Sequence, residues 1–259
     1  EWILPHLENR PLTLVRCPQG GMGKCFFQKH VNESSSAELE SVKVPDDPAL
    51  YMMANNLPAL IRLVQMGVLE LHTWGARAGQ LQRPDRMIFD LDPAPNLAWT
   101  QVVEAAQLLR SLLEELELQS FLKTTGGKGL HIVVPLQPER PWSEVKAFTR
   151  AIAEHLATHL PDRFTAKISK AKRRDKIFID YLRNGAGATA VAAYSTRARA
   201  KAPISTPIAW EELNADLHSD QFNVGNIRQR LDHLKADPWK EYFRLKQRLT
   251  AAMLKRYPG

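Results

Sequence analysis

Long apolar runs and cysteine are both scarce in this 259-residue chain. No apolar stretch approaches the roughly 18 to 20 residues of a membrane-spanning helix, and the N-terminus lacks the basic-then-apolar order of a signal peptide. The only cysteines, Cys17 and Cys25, fit no zinc-binding spacing, so we expect two structural thiols in a reducing compartment. These absences together favour a cytoplasmic protein.

Positive charge, by contrast, is in excess. Lys and Arg number 35 against 28 Asp and Glu, which gives a formal net charge of +7. A balance of this size favours a polyanionic partner, nucleic acid first. Hydrophobic residues make up 44% of the chain, enough for a substantial core. Apolar residues with near-helical spacing occur from the first residues, at Trp2, Ile3, Leu4 and Leu7. We therefore expect the natural start of the protein to lie upstream.

Apolar periodicity and turn residues predict a mixture of strands and helices. Helices are predicted over 47–67, 96–118 and 142–161, with Asn96 capping the second, and the tail from 207 is expected to be mostly helical. Strands are predicted within 10–18, 24–30, 68–75, 87–93, 119–136, 163–182 and 189–200, with a glycine-rich turn at 19–23. Strands and helices do not alternate strictly, which favours a mixed α/β (α+β) sheet architecture over a doubly wound one.

The segment RMIFDLDPAP ends an apolar strand with two acids, Asp90 and Asp92. Strand side chains alternate, so both carboxylates share one face, roughly 6.5 to 7 Å apart. Oxygen ligands so placed suit Mg²⁺ or Mn²⁺. The alternative is a solvated strand end with an Asp-Pro turn. In KIFIDYLRN, Asp180 is a third acid in an apolar strand. Three such carboxylates on neighbouring strands could hold two divalent ions roughly 3.5 to 4 Å apart.

The segment TTGGKGLHIVVP places Lys128 in a glycine turn and His131 on the following strand. Its glycines permit positive φ and close approach of backbone to an anion. Thr125, Lys128 and His131 could then donate to a triphosphate. No Ser or Thr follows a Gly-Lys pair, so this is not a Walker loop. The alternative is a plain hairpin turn with a half-buried, satisfied histidine.

Two basic segments and one aromatic segment suit a nucleic-acid partner. A row of bases on one side of a strand or loop suits phosphate contacts, although a solvated loop is the usual explanation. Adjacent Phe residues beside bases suit stacking of unpaired nucleotides, with one Phe expected in the core. These candidates are Lys170, Lys172, Arg173 and Arg174 in the first segment, Arg197 and Arg199 in STRARAK, and Phe26, Phe27 and Lys29.

The ordered set FDLDP, TTGGKGLHIVVP, IFIDYLRN and YSTRARAKAPISTPIAWEEL resembles the polymerase domain of bacterial DNA ligase D. That domain belongs to the archaeo-eukaryotic primase superfamily. RPLTLVRCP, CFFQKH and LELHTWG resemble its N-terminal half, so the resemblance covers nearly the whole chain. It implies one catalytic domain over 1–259, with a first part to about 85, a catalytic sheet module over 86–205 and a helical tail over 206–259.

The resemblance also implies an activity and a set of roles. The activity is templated and non-templated addition of nucleotides, preferably ribonucleotides, at DNA gaps and ends in non-homologous end joining. Asp90, Asp92 and Asp180 would bind two Mn²⁺ or Mg²⁺ ions. The NTP or dNTP would contact Thr125, Lys128, His131, His72, Arg197, Arg199 and Arg183, and Phe26 or Phe27 would stack against DNA. Possible partners are the Ku protein and a fused or associated ligase domain, in a bacterial cytoplasm near the nucleoid.

One departure and two alternatives accompany this interpretation. The family carries a basic segment upstream of Glu1 that supplies part of its 5′-phosphate contact, so weaker selection for a 5′-phosphorylated gap is expected here. IFDLDPAP also resembles the first motif of haloacid-dehalogenase-type phosphatases, but the later acidic motif is missing. A non-catalytic module that binds DNA ends would explain the charge but give the three strand acids no purpose.

Overall fold

The computed structural model describes residues 2–21, 23–31 and 39–258, so Met22 of the predicted glycine-rich turn lies outside the described residues. The helices are α1 (Leu4–Leu7), α2 (Leu57–Gln65), α3 (Trp99–Glu115), α4 (Trp142–His159), α5 (Ile227–His233) and α6 (Ala251–Arg256). The strands are β1 (Leu12–Arg16), β2 (Phe26–Gln28), β3 (Glu40–Lys43), β4 (Leu50–Met53), β5 (Val68–Trp74), β6 (Arg86–Pro93), β7 (Phe121–Thr124), β8 (Leu130–Pro135), β9 (Phe164–Thr165), β10 (Ile177–Asp180), β11 (Thr189–Val191) and β12 (Pro207–Ile208). Within these ranges no helix is both long and apolar enough to cross a membrane.

A six-stranded sheet forms the centre of the fold, in the order β12-β7-β8-β6-β10-β9. Neighbouring strands are antiparallel except β9 and β10, which are parallel. On β6, Met87, Phe89 and Leu91 are fully buried in the core that includes α3 and α4. Ile88 packs in a different cluster on the opposite face. The alternation predicted for this strand is therefore confirmed, and it turns Asp90 and Asp92 away from the helices.

A second sheet of four strands, in the order β11-β5-β1-β2, packs against α2. Leu12, Leu14 and Leu71 of this sheet share a buried cluster with Leu63 of the helix. This sheet also includes β11, from residues 189–191, which pairs with β5. Together the sheets and helices form the mixed α/β fold predicted from the sequence.

Two predicted helix features are wrong. Residues 50–53 of the predicted helix 47–67 form β4, because they pair with β3. The helix begins only at Leu57, after the Asn56 side chain accepts a hydrogen bond from the Ala59 amide. Asn96 does not cap α3. It donates to Asp175 instead, and the side chain of Gln101 accepts from the amide that begins the helix.

The predictions for the tail and for the cysteines also need correction. From residue 207 onward the described chain is mostly turns and loops, with only α5 and α6 as α-helices. Cys17 and Cys25 form a disulfide rather than two free thiols. The reason is the pairing of β1 with β2, which sets Arg16 opposite Phe26 and brings the Cα atoms of the two flanking cysteines to 4.3 Å.

Candidate active site

A pocket of about 210 Å³ lies where the end of β6, the β7–β8 turn and the segment after β11 meet. It brings together every residue that the sequence predicted for nucleotide binding and two of the three predicted metal ligands. Its lining side chains include His72, Asp90, Asp92, Thr125, Lys128, His131, Arg183, Arg197 and Arg199. A pocket with cationic and hydrogen-bonding walls and carboxylates at one end suits a polyanion bound with divalent cations.

The third acid, Asp180, lies beside the other two. It is the direct antiparallel partner of Asp90, on the strand next to β6. Arg183 Nε lies 3.5 Å from Asp90 Oδ2 and 3.3 Å from Asp180 Oδ2, so one guanidinium bridges both carboxylates. Burial and the charge of Asp90 raise the pKa of Asp180 and of Asp92. The pKa of Asp90 is lowered instead, because contacts with His131 and Arg183 outweigh its burial.

The acids fit divalent cations by their chemistry, and each carboxylate also contacts an arginine. Within the described ranges, no three His, Cys, Asp or Glu side chains already stand as a metal site. The carboxylates contact guanidinium groups instead, Asp92 through Arg173 Nη1 at 3.3 Å and the other two through Arg183. Three carboxylates on one sheet face, with a charge that arginines now balance, are a donor set for hard cations such as Mg²⁺ or Mn²⁺.

A row of polar residues crosses the six-stranded sheet, beginning at Asp90. Asp90, His131 and Lys123 are register neighbours on β6, β8 and β7. His131 Nε2 lies 3.4 Å from Asp90 Oδ2. Burial, and next the charge of Lys123, lower the pKa of His131 to about 4, so its imidazole is neutral at pH 7.

Lys123 was missed by the sequence reasoning. It is 3% exposed, and its Nζ donates to the Val191 carbonyl at 2.8 Å and to Ser205 Oγ at 2.5 Å. Burial lowers its pKa well below the ordinary value. The signal that could have found it is a single lysine in an apolar strand, two residues before the glycine turn.

The glycine turn connects β7 and β8 as predicted, and its glycines allow close contacts with neighbouring segments. Only Gly126 among its glycines has a positive φ, +64°, and a Cβ there would lie 2.8 Å from Arg197 Cγ. A Cβ on Gly129 would lie 1.9 Å from the Leu91 carbonyl oxygen, so the contact between β8 and β6 requires glycine here. The Thr125 hydroxyl donates to the Gly129 carbonyl at 3.0 Å. Lys128 is exposed at the pocket.

Comparison with known proteins identifies the family of this site. Residues 1–239 match the family described as LigD, primase-polymerase domain, and the match includes the acids, the glycine turn and the arginine segment. The chain belongs to the LigD primase-polymerase domain family. It is thus an enzyme domain of the nucleotidyltransferase class, and the match replaces the phosphatase alternative.

Relatives of this primase-polymerase domain are longer proteins. The chain is 46% identical over 255 residues to the multifunctional non-homologous end joining protein LigD of Pseudomonas aeruginosa, covering 97% of this chain and 30% of that protein. It is 28% identical over 245 residues to the bifunctional LigD of Bacillus subtilis, covering 94% of this chain and 39% of that protein. The chain therefore spans roughly a third of the relatives it matches.

A solved structure has a similar fold. The polymerase domain from Mycobacterium tuberculosis Ligase D in complex with DNA matches with a TM-score of 0.83 and 26% identity. The alignment covers 92% of this chain and 86% of that one. The two sheets and flanking helices of this primase-polymerase domain are therefore those of a LigD polymerase domain.

Arginines of the segment after β11 reach the pocket from a turn and not from a strand. The predicted strand 189–200 ends at Val191, so Arg197 and Arg199 do not alternate on one strand face. The Arg197 amide donates to the Pro203 carbonyl at 2.8 Å, and the Arg199 amide donates to the Arg197 carbonyl at 2.8 Å. This tight turn directs both side chains into the pocket of the primase-polymerase domain.

The predicted DNA-contacting residues lie outside the pocket lining, in two places. Phe26 and Phe27 are 45% and 74% exposed, so neither is core, contrary to the prediction. The reason is that β2 is a three-residue strand at the edge of its sheet, where it pairs with β1. Lys29 lies 3.7 Å from Asp47 near this strand. Phe26, Phe27 and Lys29 are exposed side chains of the kind that can stack on and contact an extended nucleic acid.

The other place is the basic loop before β10. Lys170 and Lys172 belong to a short exposed 3₁₀ helix, and the Arg174 side chain is 89% exposed. Arg173 differs, because its guanidinium lies 3.6 Å from the ring centroid of Phe178 while it contacts Asp92. The loop therefore adjoins the acids directly through Arg173.

Proposed function

We propose that this domain adds nucleotides to the 3′-hydroxyl of a DNA strand at gaps and double-strand-break ends, with or without a template. Support comes from its family, from relatives named as end-joining proteins and from a relative solved with DNA. The observation that carries the proposal is that Asp90 and Asp92 line a pocket shared with four cationic side chains, while Asp180 is the direct strand partner of Asp90. The cationic side chains are Lys128, Arg183, Arg197 and Arg199.

In this proposal the three carboxylates hold two divalent ions, Mg²⁺ or Mn²⁺. Such ions, when bound, lower the pKa of the attacking hydroxyl and stabilise the leaving pyrophosphate. The chain's own residues bind the triphosphate. Lys128 and Arg199 line the pocket and bring positive charge to the phosphates. Neutral His131 is anchored beside Asp90, where it offers a fixed hydrogen-bonding group rather than a charge.

The finer parts of the proposal concern substrate, partners and place. We propose a preference for ribonucleotides, with His72 near the sugar. The exposed surface of Phe26, Phe27 and Lys29 would stack on DNA, and the basic loop would contact its phosphates. Association with the Ku protein and with a fused or separate ligase domain, in the bacterial cytoplasm near the nucleoid, completes the proposal.

The test is nucleotide incorporation on a 5′-phosphorylated gapped duplex with Mn²⁺, comparing ribonucleotides with deoxynucleotides. Asp90→Ala and Asp180→Asn should lower incorporation at least about 100-fold while duplex binding persists, because metal-bound charge stabilisation is lost. Asp232→Asn is the matched control, since this α5 acid has a side chain 69% exposed and does not line the pocket. Wild-type incorporation by Asp90→Ala would contradict the proposal. Duplex binding without incorporation by the unmodified domain would favour the non-catalytic alternative.

A further inference from the structure

Glu70 is a buried acid for which the proposed chemistry has no direct use. It lies on β5, two residues before His72, so both side chains share one face of the strand. Its Oε2 is 2.7 Å from His72 Nε2 and 3.0 Å from Arg197 Nε. Its Oε1 accepts from the Ala198 amide at 2.8 Å. One carboxylate therefore contacts two side chains of the pocket wall and the backbone between its arginines.

The contact with His72 determines which edge of the imidazole faces a ligand. An ionised carboxylate only accepts hydrogen bonds, so Nε2 of His72 must carry the hydrogen. Nδ1 has no hydrogen-bond partner among the described residues. Burial lowers the pKa of His72, which makes the neutral ring the main form. In that form Nδ1 is an acceptor, ready for a hydroxyl or amine of a ligand in the pocket.

The contact with Arg197 fixes the direction of its guanidinium. Nη1 of this arginine donates to the Thr125 carbonyl at 2.6 Å, in the turn between β7 and β8. The side chain therefore extends from an acid of the four-stranded sheet to a turn of the six-stranded sheet. Its stem also lies against Gly126, where a Cβ would be 2.8 Å from Cγ. Among the described residues, Glu70 is the acid that forms an ion pair with this guanidinium.

We propose that Glu70 is a positioning residue of the nucleotide pocket, which holds the hydrogen of His72 on Nε2 and directs Arg197 across the two sheets. The inference rests on the proposed function, in which this pocket takes the incoming nucleotide. Glu70 itself does not line the pocket. Its effect on the nucleotide therefore passes through the two side chains it orients.

Glu70→Gln tests this role because it keeps the size of the side chain and removes its charge. An amide has one acceptor oxygen and no charge. It therefore cannot accept from both His72 and the Ala198 amide through separate oxygens, and it cannot form the ion pair with Arg197. We expect the KM for the nucleotide to rise about tenfold or more, the loss typical of a charged hydrogen bond, with kcat within about threefold. In ¹⁵N NMR spectra His72 should change from the Nε2–H tautomer to a mixture.

Glu212→Gln is the matched control, because Glu212 also pairs with an arginine, Arg230, at 2.6 Å, but away from the pocket. It should leave the nucleotide KM and the His72 tautomer unchanged. If Glu70→Gln fails to fold, Glu70→Asp keeps the charge but withdraws it by one methylene, and its KM should still rise. The inference would be overturned if Glu70→Gln had the nucleotide KM and the His72 tautomer of the unmodified domain. Absence of nucleotide incorporation by the unmodified domain would instead overturn the proposed function. The tautomer of His72 would still show whether Glu70 orients this ring.

Discussion

Gly129→Ala is the substitution for which the structure makes the sharpest prediction. Gly129 precedes β8, and its Cα lies against the backbone of β6 between the two acids of that strand. An added Cβ would lie 1.9 Å from the Leu91 carbonyl oxygen and 3.0 Å from its carbonyl carbon. These are backbone atoms of a central strand, so no side-chain rotation can relieve the contact. The φ angle is not in the left-handed region, and the effect is therefore steric.

The size of the effect follows from the displacement required. Ordinary contact begins near 3.4 Å, so β8 and β6 must separate by about 1.5 Å at this point. Overpacking of this kind costs about 1–3 kcal/mol of unfolding free energy. Asp90 and Asp92 flank Leu91 and would move with it. A shift of about 1 Å in a reacting geometry costs about 100-fold in rate.

Chemical denaturation and nucleotide incorporation measure the two consequences separately. Gly129→Ala should unfold about 1–3 kcal/mol more easily and incorporate nucleotides about 100-fold more slowly. Gly21→Ala is the matched control, because its Cβ would meet only Leu69 Cδ1 at 3.6 Å, and its stability should stay within about 1 kcal/mol of the original. If both variants unfold at the same denaturant concentration, the close approach of β8 to β6 is not as described.

Two further predictions concern the acids and the C-terminal segment. Arg183→Gln should bind Mn²⁺ about fivefold more tightly in the absence of nucleotide, because removing a nearby positive charge at a half-exposed position is worth about 1 kcal/mol. A titration followed by electron paramagnetic resonance measures the affinity, with Arg150→Gln on α4 as the control. Binding by Arg183→Gln that is equal to or weaker than that of the original domain would contradict the prediction. Removal of residues 240–259, all of which lie beyond the family match, should abolish cooperative thermal unfolding. Tyr242 and Tyr257 are 4% and 7% exposed, and burial of each contributes about 1.5–3 kcal/mol to a domain stability of about 5–15 kcal/mol. A melting temperature within a few degrees of the full chain would show that the segment is dispensable.

Features that depend on residues adjacent in the chain were predictable from the sequence. The two faces of β6 follow from an alternation with period two, and α4 follows from apolar spacing along 142–161. The same reasoning failed where residues that are distant in the chain but close in space determine the local structure. Residues 50–53 become a strand only because β3 lies beside them. Phe26 and Phe27 are both exposed because β2 lies at the edge of its sheet and, among the described strands, pairs with β1 alone.

The sequence by itself determined which side chains share a strand face, and therefore that Asp90 and Asp92 stand together and that Glu70 stands with His72. It could not determine which strands are neighbours. Asp180 meets Asp90 because β10 lies next to β6, and Glu70 meets Arg197 because β11 pairs with β5 and brings the following turn over the pocket. The physical reason is range: alternation is fixed by adjacent peptide units, whereas strand order depends on the burial of apolar faces contributed by the whole chain.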